Sequence, residues 1–302
     1  MIQIVIAALF PLIALISFGY LLQKSNWLDV GFWRAAEKLN YYVLFPVMLF
    51  LNLAHADIAL KSIQQVSLVA ITIMLSMTAM LYAFKKYHNM GFARFGVYVQ
   101  GILRFNTYIG LAVVSSLFQS AGMTIFAILL VLCIPLVNVI SVLALTHHDN
   151  LKISKVLLSL LKNPLIVGCI LGGVYNFSGL TMWTGIEQFI ELLAICSLPL
   201  GLMCVGAALQ FHKLHQDIKP ILLNTVLRLL LMPLIAYALC RSFAVSLLVT
   251  QVMVLFFALP TASASYVLTR VYGGDAELMA SIISLQTVVA AFTLPLVLTL
   301  LI

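Results

Sequence analysis

Ten long apolar stretches, separated by short polar connections, run along the chain. Each is close to the ~20 residues that an α-helix needs to cross a hydrocarbon core of ~30 Å. The pattern predicts an all-α integral membrane protein with ten transmembrane helices, spans 1 to 10. They are placed at residues 3–22, 35–54, 65–84, 95–117, 123–145, 157–177, 185–209, 219–240, 246–270 and 278–301.

The composition excludes a water-soluble fold. The chain has 302 residues, of which 64% are hydrophobic and 8% are charged. Soluble domains carry roughly 25% charged residues. The N-terminal stretch lacks the basic region and cleavage site of a secretory signal, so we expect span 1 to remain as a membrane helix.

Lysine and arginine residues predict the orientation of the chain. Twelve of them lie in or beside odd-numbered connections, whereas Lys61 and Arg241 lie in even-numbered ones. Because basic connections stay in the cytoplasm, both termini are predicted to lie outside a multi-pass protein of the inner (plasma) membrane. The net charge of +7 thus reflects topology, and no nucleic-acid partner is expected. The twelve are Lys24, Arg34, Lys38, Lys85, Lys86, Arg94, Lys152, Lys155, Lys162, Lys213, Lys219 and Arg270.

The two halves of the chain resemble each other at a constant offset of 153 residues. Each half holds five spans, and an odd number of crossings inverts the second half relative to the first. This predicts two inverted five-helix repeats, residues 1–148 and 153–302, with a substrate site where they meet. The matched residues are Pro11 and Pro164, Gly19 and Gly172, and Pro46 and Pro199.

Span 4 carries polar groups at a depth where other spans are apolar. Its stretch from Gly101 to Gly110 includes Arg104, Asn106 and Thr107. An arginine at the bilayer centre costs at least ~2.5 kcal/mol on insertion scales, which favours a functional role for Arg104. The alternative is that Arg104 snorkels to the interface or binds backbone carbonyls.

Span 9 contains Pro260, followed by the small residues Thr261, Ser263 and Ser265. A proline removes a helical N–H and its ring clashes with the preceding turn, so we expect the helix to break there. Asn106 and Pro260 lie 154 residues apart, which puts the two interruptions at nearly equivalent places in the repeats. Paired broken helices mark a transporter's binding site, and half-helix N-termini suit a carboxylate.

The sequence therefore predicts a substrate site on spans 4 and 9. For its small polar members, helix packing is an equally good explanation. The predicted substrate-binding residues are Arg104, Asn106, Thr107, Pro260, Thr261, Ser263 and Ser265.

Further polar residues within spans are candidate contacts for the substrate or for a coupling ion. They are Asn40, Arg228 and Gln286. Arg228 lies deep in span 8, where it either reaches the same cavity or snorkels. Pro46 and Pro199 are expected to kink their helices.

The sequence leaves the coupling ion open. No acidic residue is evident in the middle of a span, so a proton relay on a buried carboxylate has no obvious carrier. Sodium held by oxygens of Ser284, Gln286 and Thr287, symport with H⁺, and uniport are the alternatives. No metal site or other cofactor is expected, because His212 and His215 lack a third ligand. No phosphate-binding loop is present, and no enzymatic activity is expected.

Several short motifs, taken in order, resemble the auxin efflux carrier family in its bacterial branch of malonate and malate permeases. The resemblance covers essentially the whole chain. Its motifs are Leu39–Pro46 in span 2, Arg104–Asn106 with Gly110 in span 4, Asn163-Pro164 in span 6, Leu198–Leu200 with Gly206–Leu209 in span 7, Arg228 with Met232-Pro233 in span 8, Leu259–Ala262 in span 9, and Tyr272–Asp275 before span 10.

The resemblance implies an architecture and a mechanism. Spans 1, 2, 6 and 7 would form a scaffold that is expected to make a homodimer, and spans 3–5 and 8–10 a mobile transport domain. Spans 4 and 9 would cross beside an organic anion that moves by an elevator type of alternating access. Span 4 lacks the crossover proline of plant members, with Asn106 near its place, which argues against auxin as substrate. Gly168 and Gly172 in span 6 are expected to pack helices of one chain rather than of two protomers.

The functional hypothesis is a secondary active transporter or facilitator for a small carboxylate, held by Arg104 and Asn106. The alternative is a sodium-coupled symporter of amphipathic organic anions with the same architecture. A channel or receptor is a third hypothesis, and the paired interruptions argue against it.

Overall fold

The computed structural model describes residues 2–56, 60–146, 163–210 and 217–301, and all regular structure in these ranges is helical. The predicted repeat boundary at 148–153, the first residues of span 6 and the pair His212 and His215 lie outside the described residues. The α-helices are α1 Ile2–Lys24, α2 Val30–Leu39, α3 Phe45–Ala54, α4 Leu60–His88, α5 Phe92–Leu103, α6 Thr107–Leu145, α7 Pro164–Ser178, α8 Thr184–Ala207, α9 Ile218–Val226, α10 Met232–Ser242, α11 Leu247–Ala258, α12 Ala264–Val271 and α13 Ala276–Leu301.

The helices have the length and polarity of a multi-pass membrane protein. Six helical runs of the described chain are long and apolar enough to cross a bilayer, and α7 and α11 are apolar but shorter. Large apolar side chains such as Phe10, Phe177 and Phe292 are exposed on the outer surface, as expected where lipid replaces water. The six runs are Ile6–Lys24, Ile63–His88, Phe92–Leu145, Thr184–Ala207, Ile218–Ser242 and Ala276–Leu301.

The longest run is interrupted between spans 4 and 5, where the sequence predicts a connection. α6 extends over both, and its only non-helical backbone angles are at Gln119, with φ 50° and ψ −147°. Positive φ is unfavourable for a residue with a side chain, so a kink here needs support from packing. Gly122 gives that support, because a Cβ at this position would lie 2.2 Å from the Cβ of Phe118.

Two prolines follow a π-helical turn at the same spacing. The turn Asn40–Leu44 precedes Pro46, and the turn Leu227–Leu231 precedes Pro233. A proline cannot donate to the preceding turn and its ring crowds a carbonyl there, and the wider π turn relieves both problems. The helix of span 2 is therefore irregular just before Pro46, whereas α8 continues through Pro199.

Two helix pairs pack closely through glycines. Gly19 of α1 lies on the backbone of Met203 in α8, and Gly172 of α7 lies on the backbone of Phe50 in α3. Gly19 and Gly172 are 153 residues apart, and so are Phe50 and Met203. This is the offset of the sequence repeat. Gly168 likewise lies on the backbone of Pro46, so the prediction that these glycines pack within one chain is confirmed.

α11 occupies the centre of the helix assembly. All side chains from Val252 to Leu259 are buried, and the helix packs against α4, α6, α10 and α13. A helix that is apolar on every side is stable only when other elements surround it. Its C-terminal end, where the polar residues of span 9 begin, is thereby held in a fixed position.

Candidate functional site

The two predicted interruptions are present, and they touch. α5 ends at Leu103 and α6 begins at Thr107, while α11 ends at Ala258 and α12 begins at Ala264. The backbone N–H of Asn106 donates to the carbonyl oxygen of Pro260 at 2.7 Å. The prediction that spans 4 and 9 are broken is thus confirmed. We call this contact and the flanking residues 103–107 and 259–263 the crossing.

Asn106 fixes the first interrupted stretch. Its backbone is extended, and its Oδ1 accepts the N–H of Ile109 at 3.1 Å, as an N-cap does. The amide nitrogen Nδ2 is buried and has no hydrogen-bond partner in the described structure. An orphaned buried donor is rare in proteins, so this N–H pair is available to a ligand.

Pro260 ends the helix of the second stretch, since it has no N–H to donate. The next residue, Thr261, is fully buried and bonded on both sides. Its N–H donates to Oε1 of Gln286 at 2.9 Å, and its hydroxyl donates to the carbonyl of Gln100 at 3.0 Å. Ser263 is half-buried, and the hydroxyl of Ser265 is buried without a partner among the described residues.

Two side-chain amides, those of Gln286 and Asn224, connect the interrupted stretches to the neighbouring helices. Nε2 of Gln286 donates to the carbonyl of Gly101 and to Oδ1 of Asn224, both at 3.0 Å. Nδ2 of Asn224 donates to the carbonyl of Tyr98 at 3.1 Å. Gly101 is needed here because a Cβ would lie 2.3 Å from Oδ1 of Asn224. These hydrogen bonds join α5, α9 and α13 next to the crossing.

Arg228 binds the C-terminal ends of both half-helices. Its side chain is fully buried, and Nη1 donates to the carbonyl of Ile102 at 2.8 Å. Nε donates to the carbonyl of Leu259 at 2.6 Å, and Nη2 lies 3.4 Å from that of Phe256. Helix C-termini each carry roughly half a negative charge. The buried cation is therefore balanced by α5 and α11, without a carboxylate.

The guanidinium of Arg104, unlike that of Arg228, is not saturated with hydrogen bonds. No hydrogen bond or ion pair reaches its guanidinium from the residues that the structure describes, and its Nη1 is buried without a partner. The side chain as a whole is only half-buried. Tyr41, in the π turn of span 2, is near enough for an electrostatic interaction with Arg104. A buried cation without a partner is costly, so the site favours an anion beside Arg104.

Residues of spans 2 and 7 form a wall beside the first turn of α6. Tyr108 stacks on Phe45 with ring centres 4.4 Å apart, and Gly201 leaves room for the Tyr108 ring. Nδ2 of Asn40 donates to the carbonyl of Ser197 at 2.9 Å, while its Oδ1 is buried without a described partner. The first turn of α6 thus packs on this wall through aromatic contact.

The local field at the crossing is positive. Arg228 offsets the negative ends of α5 and α11, which leaves the positive N-termini of α6 and α12 and the full charge of Arg104. Each N-terminus contributes roughly half a charge. Preorganised donors and positive helix ends of this kind bind carboxylates and phosphates.

The structure brings only part of the predicted residue set together. Asn106 and Pro260 are in contact, and Arg104, Thr107 and Thr261 flank them. No described contact joins Ser263 or Ser265 to Arg104. Of the further candidates, Arg228 and Gln286 are engaged in internal hydrogen bonds, and Asn40 lies on the wall of spans 2 and 7.

Sequence reasoning missed Gln100, Tyr41 and Tyr108. Gln100 had a signal, because it is an amide within the apolar run that precedes Gly101 in span 4. The two tyrosines lie in segments that the sequence singled out, but aromatic residues are common at membrane helix surfaces and their type alone does not indicate a site. Within the described ranges, no three His, Cys, Asp or Glu side chains are grouped as a metal site requires.

Two comparisons place the chain among known proteins. A family model described as "Membrane transport protein" matches residues 150–298. An uncharacterized transporter of Methanothermobacter thermautotrophicus is 26% identical over 290 residues, which is 94% of this chain and 94% of that protein. The similarity to that transporter thus extends over both halves of the chain.

Proposed function

Because this chain belongs to the membrane transport protein family of the auxin efflux carrier type, we propose that it is a secondary transporter or facilitator for a small organic anion. The carboxylate would bind at the crossing, between Arg104 and the amide of Asn106. The family establishes a transporter, which is not an enzyme. The substrate class rests on the chemistry of the site.

The observation that carries this proposal is the contrast between two buried arginines. Arg228 is saturated by carbonyls, whereas Arg104 has an orphaned N–H in a half-open position. A guanidinium fork binds a carboxylate through two parallel hydrogen bonds, each strengthened by charge. Nδ2 of Asn106, also orphaned, supplies a further donor close by.

We further propose the ten-span, inverted-repeat architecture. The matched contacts of Gly19 with Met203 and of Gly172 with Phe50 support it, because a twofold relation between repeats would produce such a pair. The interruptions at nearly equivalent positions support it too. The proposed repeats are residues 1–148 and 153–302, with both termini outside the inner membrane.

In the proposed mechanism, spans 3–5 and 8–10 move as one body against the scaffold of spans 1, 2, 6 and 7. The hydrogen bonds of Arg228 and Gln286 support this division, since they connect α5, α9, α11 and α13 to one another. The scaffold pairs, α1 with α8 and α3 with α7, are joined by close glycine contacts that resist sliding. A homodimer through scaffold helices is part of the same proposal.

The alternative is a sodium-coupled symporter of amphipathic organic anions. Ser284 and Thr287 offer neutral oxygens of the kind that bind sodium. However, Ser284 accepts the N–H of Gln210 at 2.7 Å, and both ends of the Gln286 amide are already bonded. These contacts favour the carboxylate carrier, with symport of H⁺ or uniport as its modes.

The experiment is uptake by proteoliposomes of dicarboxylates, monocarboxylates and indole acids, with imposed proton or sodium gradients. We expect Arg104→Ala to reduce uptake of the preferred anion by at least about tenfold, since a charge-assisted bond is worth ~1.5–3 kcal/mol. Arg241→Ala, at an exposed arginine, is the matched control. Normal uptake by the Arg104 variant would contradict the proposed site, and uptake that requires sodium would favour the alternative.

A further inference from the structure

We propose that a groove between α1, α6 and α13 holds one acyl chain of a membrane phospholipid. The groove has a volume of about 400 Å³. It is lined on α1 by Ile13 and Tyr20, on α6 by Ile109 and Val113, and on α13 by Ala291 and Phe292. We call it the α1–α13 groove. The site requires only that the chain is a membrane protein, and it does not depend on the proposed substrate.

The lining of the groove selects a hydrocarbon. Apart from Ser17, Tyr20 and Thr287, its side chains are aliphatic or aromatic. The hydroxyl of Thr287 donates to the carbonyl of Ile283 at 2.7 Å, and the N–H of Ile109 donates to Asn106. A polar ligand would therefore lose hydrogen bonds with water and gain few in return.

The groove opens onto the surface that lies in the bilayer. Leu21 is 59% exposed and Phe292 is 75% exposed at its edges, and neighbouring side chains such as Phe10 and Phe18 continue the apolar surface. At this surface the protein is surrounded by the acyl chains of lipids. An open apolar groove of this kind is therefore in contact with lipid from the outset, and packing against its walls holds a chain in place.

The dimensions and the charge at one end match a phospholipid. From Leu9 to Leu21, which both line the groove, α1 rises about 18 Å at ~1.5 Å per residue. One leaflet of the hydrocarbon core is about 15 Å thick, half of ~30 Å. Lys24 lies one turn beyond Tyr20, with Nζ 5.8 Å from the centre of its ring. A phosphate at the mouth of the groove would meet this ammonium.

The part of the groove that Ile109 lines is close to the crossing. Ile109 lines the groove, and its N–H donates to Oδ1 of Asn106 at 3.1 Å. The acyl chain would thus fill the space between α1 and the first turn of α6. A chain in this position would keep water from the apolar side of the crossing.

The test uses the full-length protein in vesicles of phosphatidylethanolamine and phosphatidylglycerol. A trace of the phosphatidylglycerol carries a photoreactive diazirine at the end of one acyl chain. We expect labelling to concentrate on the α6 peptide that contains Ile109 and Val113. Ala291→Trp, which fills the groove, should lower that labelling by roughly tenfold, equivalent to about 1.4 kcal/mol. Ala238→Trp, at an exposed alanine of α10, is the matched control and should leave the labelling unchanged.

A second variant tests the head group. Lys24→Gln should lower labelling by the anionic lipid about fivefold, and should lower labelling by a phosphatidylcholine probe less, because the choline cation beside that phosphate weakens its attraction to the ammonium. Equal labelling of α6 in the wild type and in Ala291→Trp would overturn the proposal. So would displacement of the probe by a soluble amphipathic carboxylate, which would assign the groove to the transported substrate. Because the readout is labelling and not uptake, failure of the carboxylate site leaves this test intact.

Discussion

The N–H of Asn106 and the carbonyl oxygen of Pro260 are joined by a hydrogen bond of 2.7 Å, across 154 residues of sequence. The two broken helices are therefore in main-chain contact, and their polar ends meet at one place. Arg228 and Gln286 bind the ends of these helices, and Nη1 of Arg104 has no partner among the described residues. Arg228 and Gln286 thus shape the crossing without being proposed to bind the anion, whereas Asn106 is given both roles.

Arg228 should be essential for stability. Arg228→Met leaves the carbonyls of Ile102 and Leu259 without this donor, and each unsatisfied buried group costs ~1–3 kcal/mol. We expect the midpoint of thermal unfolding in detergent to fall by on the order of 10 °C. Arg241→Met, at an exposed position, controls for the loss of a surface arginine. A wild-type midpoint for the Arg228 variant would show that these hydrogen bonds contribute little.

Two substitutions of Asn106 should separate its role as helix cap from its proposed role in binding the anion. Serine is a good N-cap, so Asn106→Ser keeps the cap oxygen for Ile109 but loses the orphaned amide. We expect its unfolding midpoint to stay near the wild type and its uptake to fall by about tenfold, the loss of one hydrogen bond to a charged group. Asn106→Ala should also lose ~1 kcal/mol of stability with the cap. Wild-type uptake by the serine variant would exclude Nδ2 as a ligand.

Alanine substitutions at two adjacent glycines of α7 should change the stability of the protein in opposite directions. A Cβ at Gly172 would lie 2.5 Å from the carbonyl oxygen of Phe50, whereas nothing lies within 4 Å of a Cβ at Gly173. Gly172→Ala should therefore destabilise the protein by ~1–3 kcal/mol through overpacking. Gly173→Ala should stabilise it by up to ~1 kcal/mol, because alanine is the better helix former. Unfolding of the two variants side by side checks both values.

The same measurement tests the proposed repeat symmetry. Gly19 corresponds to Gly172 at the offset of 153 residues, and its Cβ would lie 2.1 Å from the carbonyl oxygen of Met203. Gly19→Ala should therefore cost about as much stability as Gly172→Ala. A Gly19 variant as stable as the wild type would show that the two contacts are not equivalent.

The interruptions could be predicted from the sequence because their causes are local. Pro260 lacks an N–H, and Arg104 with Asn106 is too polar for an ordinary span, so both breaks follow from neighbouring residues. The role of Arg228 could not be predicted in this way. Its partners are up to 126 residues distant, and a guanidinium deep in a span is equally compatible with a cavity or with carbonyls.

Other features depended on packing that no local pattern encodes. Gln286 and Gly101 are 185 residues apart, and only the folded chain shows that the amide of one bonds the carbonyl of the other. The π turns before Pro46 and Pro233 were also missed, although the prolines themselves indicated irregular helices.

Binding of the anion to the purified protein tests the proposed site most directly. A ligand that binds only the folded state stabilises it by about 2.7 kcal/mol at a concentration of 100 times its Kd, so a thermal shift reports binding without transport. Wild type and Arg241→Gln should be stabilised by the preferred carboxylate and not by its uncharged amide, and Arg104→Gln should show no shift with either. A full shift in the Arg104 variant would contradict a carboxylate held by this guanidinium at the crossing.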